Sequence, residues 1–220
     1  IPALLAFPGD IFLLAYTLGM SRFATVLAAL DTGSAFEGMG ASREVQFSAV
    51  AEIGFIAGLV TLALVVGRFS LTEMLGGLSF ASWGAWGPFL ALVAAALFFV
   101  FLAENCRIPV DDPNTHLELT MIHEVMILDH SGVDLAFILY GASLKFWVLG
   151  SILVQIPASA VDGSPWVRAT AALAGMFLLS VAVGVVESVM ARLRLVRVPR
   201  MLWIAAALAM PGVEKFVSSQ

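Results

Sequence analysis

Long apolar segments alternate with short polar ones along the whole chain. Six of them are long enough to cross a membrane, because a hydrocarbon core about 30 Å thick needs roughly 20 helical residues. They cover residues 10–30, 44–67, 87–105, 133–157, 166–191 and 198–217. None shows the alternation typical of transmembrane strands. The pattern predicts an all-α protein, a polytopic transmembrane helix bundle of about six spans, forming a single integral membrane domain over residues 1–220.

One polar stretch interrupts the pattern between the third and fourth predicted spans. It covers residues 104–132, ENCRIPVDDPNTHLELTMIHEVMILDHSG, and contains all 3 histidines of the chain. Within it, residues 117–130 look helical, with Pro113 before them and Gly132 after them. A helix of that length measures about 21 Å, too short to cross comfortably. We therefore expect a short helix at the membrane surface.

The composition is that of a membrane protein, and it excludes some kinds of cofactor site and partner. Hydrophobic residues make up 60% of the chain, charged residues 12%, and the mean hydropathy is +0.99. A single cysteine, Cys106, excludes an internal disulfide and a cysteine-ligated iron–sulfur cluster on this chain alone. The net charge of −5 comes without a basic run, which argues against nucleic acid as a partner. The chain begins at Ile1 in apolar sequence, so we expect that an N-terminal portion is missing.

The arginines predict which side of the membrane each loop occupies. The predicted loops 31–43, 106–132 and 192–197 fall on one side, and they carry Arg43, Arg107, Arg192, Arg194 and Arg197. The opposite side has mainly Arg68 and Arg168. The positive-inside rule then makes the first side, including loop 106–132, cytoplasmic. We expect a multi-pass protein of the cell inner membrane.

Histidines and acids of the polar stretch fall on opposite faces of the predicted helix. His116, His123 and His130 recur every seven residues along one stripe, while Glu118 and Asp129 share another. Neighbouring histidines would lie about 10 Å apart, too far to share a metal ion. Such a row suits either proton relay through waters or an interfacial helix that faces water or a partner protein.

Charged residues also lie within the predicted spans, in their cytoplasmic halves. Arg22 and Glu52 are each about 12 Å inside and are expected to pair, and Lys145 is about 18 Å inside. Shallower acids are Glu44, Glu104 and Glu187. Protons entering from the cytoplasm would have to leave sideways into a neighbouring subunit. The alternative is that these charges form structural ion pairs between helices.

The segment 104–132 resembles a family signature. It looks like the E-N-x-R-x-P-x-D-x-P-x-THLELTMIHE pattern of the membrane subunit equivalent to subunit 1 of respiratory complex I, in the formate hydrogenlyase-type, energy-converting hydrogenase branch. Supporting matches are LDTGSAFEGMGASRE at residues 30–44 and ESVMARLRLVRVPR at residues 187–200. Where complex I has Glu-Tyr-Ser-Gly, this chain has Asp129-His130-Ser131-Gly132, so a role of that tyrosine does not transfer.

The resemblance implies a subunit without its own catalytic residues, metal or cofactor. Its expected partners are hydrogenase large and small subunits that hold a nickel–iron centre, an iron–sulfur protein and antiporter-like membrane subunits. The expected proton-pathway residues are Glu44, Glu52, Glu104, Asp111, Asp112, Glu118, His123, Glu124, Asp129, Lys145 and Glu187. Arg43, Arg107 and His116 are expected to dock the redox arm, and Arg22 to form a structural ion pair.

Two other functions stay open at the level of sequence. One is a quinone-binding membrane subunit of a complex I-like dehydrogenase. The other is an independent ion transporter, against which stands the absence of an inverted repeat and of interrupted helices in matching positions.

Overall fold

The computed structural model describes residues 6–111, 121–161 and 163–210, and within them the chain folds into helices. The five long helices are α1 (Asp10–Asp31), α2 (Ala35–Val66), α4 (Phe80–Glu104), α6 (Gly132–Ala158) and α7 (Pro165–Val189). The shorter ones are α3 (Leu71–Gly77), α5 (His123–Met126) and α8 (Val198–Ala209), the last preceded by a 3-10 turn at Leu195–Arg197. In this part of the chain, the five long helices are those long and apolar enough to span a membrane. The predicted polytopic helical bundle is confirmed.

The helix α2 begins well before residue 44, where the sequence predicted its start. Gly33, with a φ of 70°, ends α1 in left-handed backbone, and Ser34 is the extended residue before α2. The predicted loop 31–43 is therefore wrong, since only residues 32–34 form a turn. The region around Gly40 is helical because it packs against residues 121–126, and this tertiary contact outweighs the low helix propensity of glycine.

The helix α4 also begins earlier, at Phe80 rather than at residue 87. Ser79 and Ser82 form a capping box, in which each side chain bonds to the other residue's backbone N–H. Pro88 lies in the third turn without ending the helix. The seven additional residues add about two turns to α4, whose last helical residue is Glu104.

The core lies where α2, α4 and α8 pack together. Leu59, Leu97 and Leu202 are among its buried side chains. The predicted sixth span, residues 198–217, is represented by α8, whose 12 residues measure about 18 Å. That length does not cross a bilayer core by itself, so a span starting at residue 198 is not found among the described residues. Residues 211–217 lie outside them.

The short helix predicted over residues 117–130 is reduced to α5, four residues long, in the part that the structure describes. Side-chain carboxylates replace the helical hydrogen bonds: Asp111 accepts the backbone N–H of Ile122 and of His123, and Glu37 accepts that of Asp129. Since no continuous helix joins residues 123 and 130, the predicted histidine stripe does not form there. His116 and Glu118 lie outside the described residues.

The two ends of the bundle differ in chemistry. At one end, Asp10 accepts a hydrogen bond from the Ser70 hydroxyl at 3.0 Å, and the Trp83 indole N–H donates to the Ser159 hydroxyl at 3.0 Å. At the other end, five ion pairs among the described residues join α1, α2, α4, α6, α7 and the segments that follow α4 and α7. The candidate functional residues gather at this second end.

Candidate functional site

Glu104, at the end of α4, lies between two cations from different helices. Its Oε1 accepts a hydrogen bond from Nη2 of Arg22 in α1 at 2.6 Å, and its Oε2 lies 3.8 Å from Nζ of Lys145 in α6. Nη1 of Arg22 also reaches Oε2 of Glu52 in α2 at 3.4 Å. The expected Arg22–Glu52 contact is thus present, and Glu104 is the acid that accompanies Lys145. Such pairing makes charges tolerable inside apolar helices.

Glu44 of α2 is a second buried acid at this end of the bundle. Its Oε2 lies 3.8 Å from Sγ of Cys106. Cys106 takes a φ of 50° where α4 ends, and the next backbone N–H, that of Arg107, bonds back to the Leu102 carbonyl at 2.9 Å. Burial, reinforced by the Glu44 carboxylate, raises the pKa of the Cys106 thiol well above its ordinary value. The thiol therefore stays protonated and can donate a weak hydrogen bond to Glu44.

A cavity of about 740 Å³ lies beside these charges, between α1 and α6. Its lining includes the titratable side chains of Glu44, Glu104, Asp111, His123, Glu124 and Lys145. It also includes apolar residues, among them Ala28, Phe137 and Phe146. This volume and this mixture of apolar and polar lining are typical of small-molecule sites.

The sequence suggested that His123 could take up and release protons near neutral pH, but its surroundings lower its pKa. Burial and the nearby Lys145 ammonium lower its pKa to about 4. The imidazole is therefore neutral at pH 7, with one nitrogen able to donate and the other to accept. It can pass hydrogen bonds along a chain of waters, but it does not change its charge near neutral pH.

The remaining predicted residues are placed around the cavity or away from it. Nη1 of Arg107 lies 3.3 Å from Oε1 of Glu187, so these two form a pair next to the cavity. Arg43, expected to dock a partner, donates from Nη1 to the Met121 carbonyl of the same chain at 2.8 Å. Asp129 is exposed and is not brought to the cavity. Asp112, His116 and Glu118 lie outside the described residues.

Sequence reasoning missed two residues that organise this end of the bundle. Glu37 is almost completely buried, and it accepts hydrogen bonds from the Thr32 hydroxyl and from the Asp129 backbone N–H, the latter at 2.9 Å. Its signal was the Ser34-x-x-Glu37 spacing that marks a helix start. Arg192 was used only to assign the cytoplasmic side, yet its Nη2 lies 3.0 Å from Oδ1 of buried Asp111.

Within residues 6–111, 121–161 and 163–210, no three His, Cys, Asp or Glu side chains are arranged to hold a metal ion. The titratable groups that line the cavity include carboxylates, the neutral imidazole of His123 and the cations Arg22, Arg107 and Lys145.

The fold and the site together define a polytopic helical membrane protein with buried charges at one end of its spans. The chain belongs to the NADH dehydrogenase family, whose family model matches residues 1–211. It is similar to two Escherichia coli (strain K12) proteins. Hydrogenase-4 component C is 30% identical over 214 residues, 91% of this chain. Formate hydrogenlyase subunit 4 is 28% identical over 207 residues, 89% of this chain. The chain spans 64% of the length of each. The predicted complex I-like, hydrogenase-related family is confirmed.

Proposed function

We propose that this chain is the membrane anchor and coupling subunit of a proton-translocating, complex I-like energy-converting hydrogenase. In this function it links electron transfer in a peripheral redox arm to ion translocation in antiporter-like membrane subunits. The nickel–iron centre and the iron–sulfur clusters would belong to the hydrogenase large and small subunits and to an iron–sulfur protein. The proposal is supported by the similarity to the hydrogenase-4 and formate hydrogenlyase subunits.

One observation carries the proposal: titratable groups of the polar segment and of the spans line the same cavity. Glu124 and His123 line the same cavity as Glu44 and Glu104, and Glu52 is joined to Glu104 through Arg22. A change in charge near the polar segment therefore acts on acids inside the bundle at short range, where screening by water is weak. That is the electrostatic requirement for coupling a redox step to proton uptake.

The orientation is part of the same proposal. The end of the bundle that carries Arg43, Arg107 and Arg192 would face the cytoplasm, where the redox arm would contact the polar segment. Arg43 and Arg107 would then bind the Met121 carbonyl and the Glu187 carboxylate of this same chain. The surface formed by these contacts would face the redox arm.

The test is proton transport by the assembled complex carrying Glu124→Gln. We expect hydrogen turnover to persist while proton transport per turnover falls by about tenfold or more, the scale of losing one positioned proton carrier. The matched control is Glu73→Gln, which neutralises an exposed acid at the opposite end of the bundle and should leave transport unchanged. Unchanged transport in Glu124→Gln would contradict the proposal.

The cavity favours a second candidate, a quinone-binding subunit of a complex I-like dehydrogenase. A quinone has an apolar ring and tail and polar carbonyls, which suit a cavity lined by both apolar and polar side chains. Here Ala28→Trp, which places a large side chain in the cavity, should abolish quinone-dependent electron transfer. In a hydrogenase coupling subunit the same substitution should leave hydrogen turnover with artificial electron donors intact.

A further inference from the structure

Asp111 is an acid of the polar segment with only 1% of its side chain exposed. Its Oδ1 lies 3.0 Å from Nη2 of Arg192, and its Oδ2 accepts the backbone N–H of Ile122 at 3.0 Å and of His123 at 2.9 Å. An ionised carboxylate has only acceptor sites. Both of its oxygens are thus engaged by donors from two separate segments of the chain, which is the geometry of a structural link.

Two further contacts join the same parts of the chain. The backbone N–H of Leu193 donates to the Pro109 carbonyl at 2.9 Å. Arg107 pairs with Glu187 at 3.3 Å. Residues 107–111, after α4, are therefore connected to residues 187–193, at the end of α7, through a backbone hydrogen bond and two ion pairs.

We propose that Asp111 and Arg192 are positioning residues, which hold residues 121–124 at the cavity, and that Asp111 carries no proton itself. The inference rests on the proposed function, because the groups that it positions are His123 and Glu124. It also replaces the sequence-based expectation that Asp111 belongs to the proton pathway.

The need for such a link follows from the size of α5. A helix of four residues forms too few backbone hydrogen bonds to be stable alone, so its first N–H groups require an acceptor from elsewhere. Asp111 supplies that acceptor, and Arg192 keeps the carboxylate in place. Without Arg192, the carboxylate loses its charged partner in a buried position and turns toward water, which releases Ile122 and His123.

The experiment is amide hydrogen exchange of residues 121–126 in the assembled complex, combined with proton transport by the same samples. The variants are Arg192→Gln, Arg192→Lys and Asp111→Asn. The control is Arg68→Gln, which removes an exposed arginine that pairs with Glu73 at the opposite end. Exchange in Arg192→Gln and Asp111→Asn should rise by about tenfold or more, the effect of losing a hydrogen bond to a charged group. Arg192→Lys should restore most of the protection, and Arg68→Gln should match the wild type.

Proton transport then separates a positioning role from a proton-carrying one. In Arg192→Gln and Asp111→Asn, transport should fall together with amide protection, while the pH at half-maximal transport stays unchanged. Loss of transport in Asp111→Asn with normal protection would make Asp111 a carrier and overturn the inference, as would a shifted pH profile in Arg192→Gln. Normal protection in both variants would also overturn it. Failure of the proposed function is recognised separately, by normal transport in Glu124→Gln, whatever the exchange data show.

Discussion

Lys145 approaches Glu104 less closely than Arg22 does. Nζ of Lys145 lies 3.8 Å from one carboxylate oxygen, whereas Nη2 of Arg22 lies 2.6 Å from the other. Glu104 therefore has one hydrogen-bonded cation and one neighbour at the limit of an ion pair. The helices that carry the two cations, α1 and α6, both line the cavity.

This difference in distance predicts that removal of the two cations will lower the free energy of unfolding by unequal amounts. Arg22→Met leaves Glu104 without its hydrogen-bonded partner and should destabilise the protein by about 3–5 kcal/mol. Lys145→Met leaves the Arg22 bond intact and should cost less than Arg22→Met, because the contact that it removes is at the limit of an ion pair. Unfolding titrations in mixed detergent measure both free energies. Equal losses of unfolding free energy in the two variants would contradict the prediction that Arg22 stabilises Glu104 more than Lys145 does.

A second prediction concerns the close contact between α2 and the polar segment. A Cβ atom at Gly40 would collide with the Val125 side chain and lie 2.8 Å from the Ile122 carbonyl oxygen. Gly40→Ala should therefore destabilise the protein by about 1–3 kcal/mol through overpacking. Gly38 lies in the same helix with open space around it, so Gly38→Ala is the control. It should stabilise by up to about 1 kcal/mol, the helix propensity of alanine over glycine.

The low pKa of His123 predicts a pH dependence of stability. With a pKa of about 4 in the folded protein and 6.5 as the ordinary value, the unfolded chain binds more protons between these pH values. Stability should therefore be complete above pH 6.5 and should decrease as the pH falls toward 4, by up to about 3 kcal/mol. The measurement is the unfolding free energy against pH, with His123→Gln as the variant that should remove this component. An identical slope in His123→Gln would refute the assignment.

Cys106 gives a prediction about chemical reactivity. Because the thiolate is the reactive form and burial raises the pKa of this thiol, maleimide should modify Cys106 slowly at pH 7, and the rate should rise steeply with pH. Mass spectrometry of the labelled peptide measures the rate. The comparison is Val196→Cys in a Cys106→Ser background, since Val196 is 77% exposed and a cysteine there should react quickly. Equal rates at pH 7 would contradict the raised pKa of the Cys106 thiol.

Apolar segment length made most of the fold predictable. The spans around α1, α6 and α7 were predicted to within a residue or two of their observed ends, because charged, proline or glycine residues lie at or close to those ends. The starts of α2 and α4 were not. In α2, Gly40 lies inside the helix at a close contact with residues 122–126, and α4 begins at the Ser79–Ser82 capping box. A glycine at a packing contact and a glycine in a loop look the same in one sequence.

The sequence predicted how deep the charged residues of the candidate site lie in the helices, but not all of the residues that they contact. Counting residues along the helices placed Arg22 level with Glu52, and the two are in contact. The link between Arg192 and Asp111 joins residues 81 positions apart, across irregular segments whose path no periodicity specifies. The histidine stripe was predicted from a helical period that holds only while the helix is unbroken, and α5 ends at Met126.

The length of α2 has a mechanical consequence. Its 32 residues measure about 48 Å, more than a bilayer core of about 30 Å, and the helix is uninterrupted. Gly40, Glu44 and Glu52 therefore lie on one continuous helix, and the side chain of Val125 and the carbonyl of Ile122 approach it closely at Gly40. A displacement of that end of α2 would be carried along the helix to both acids.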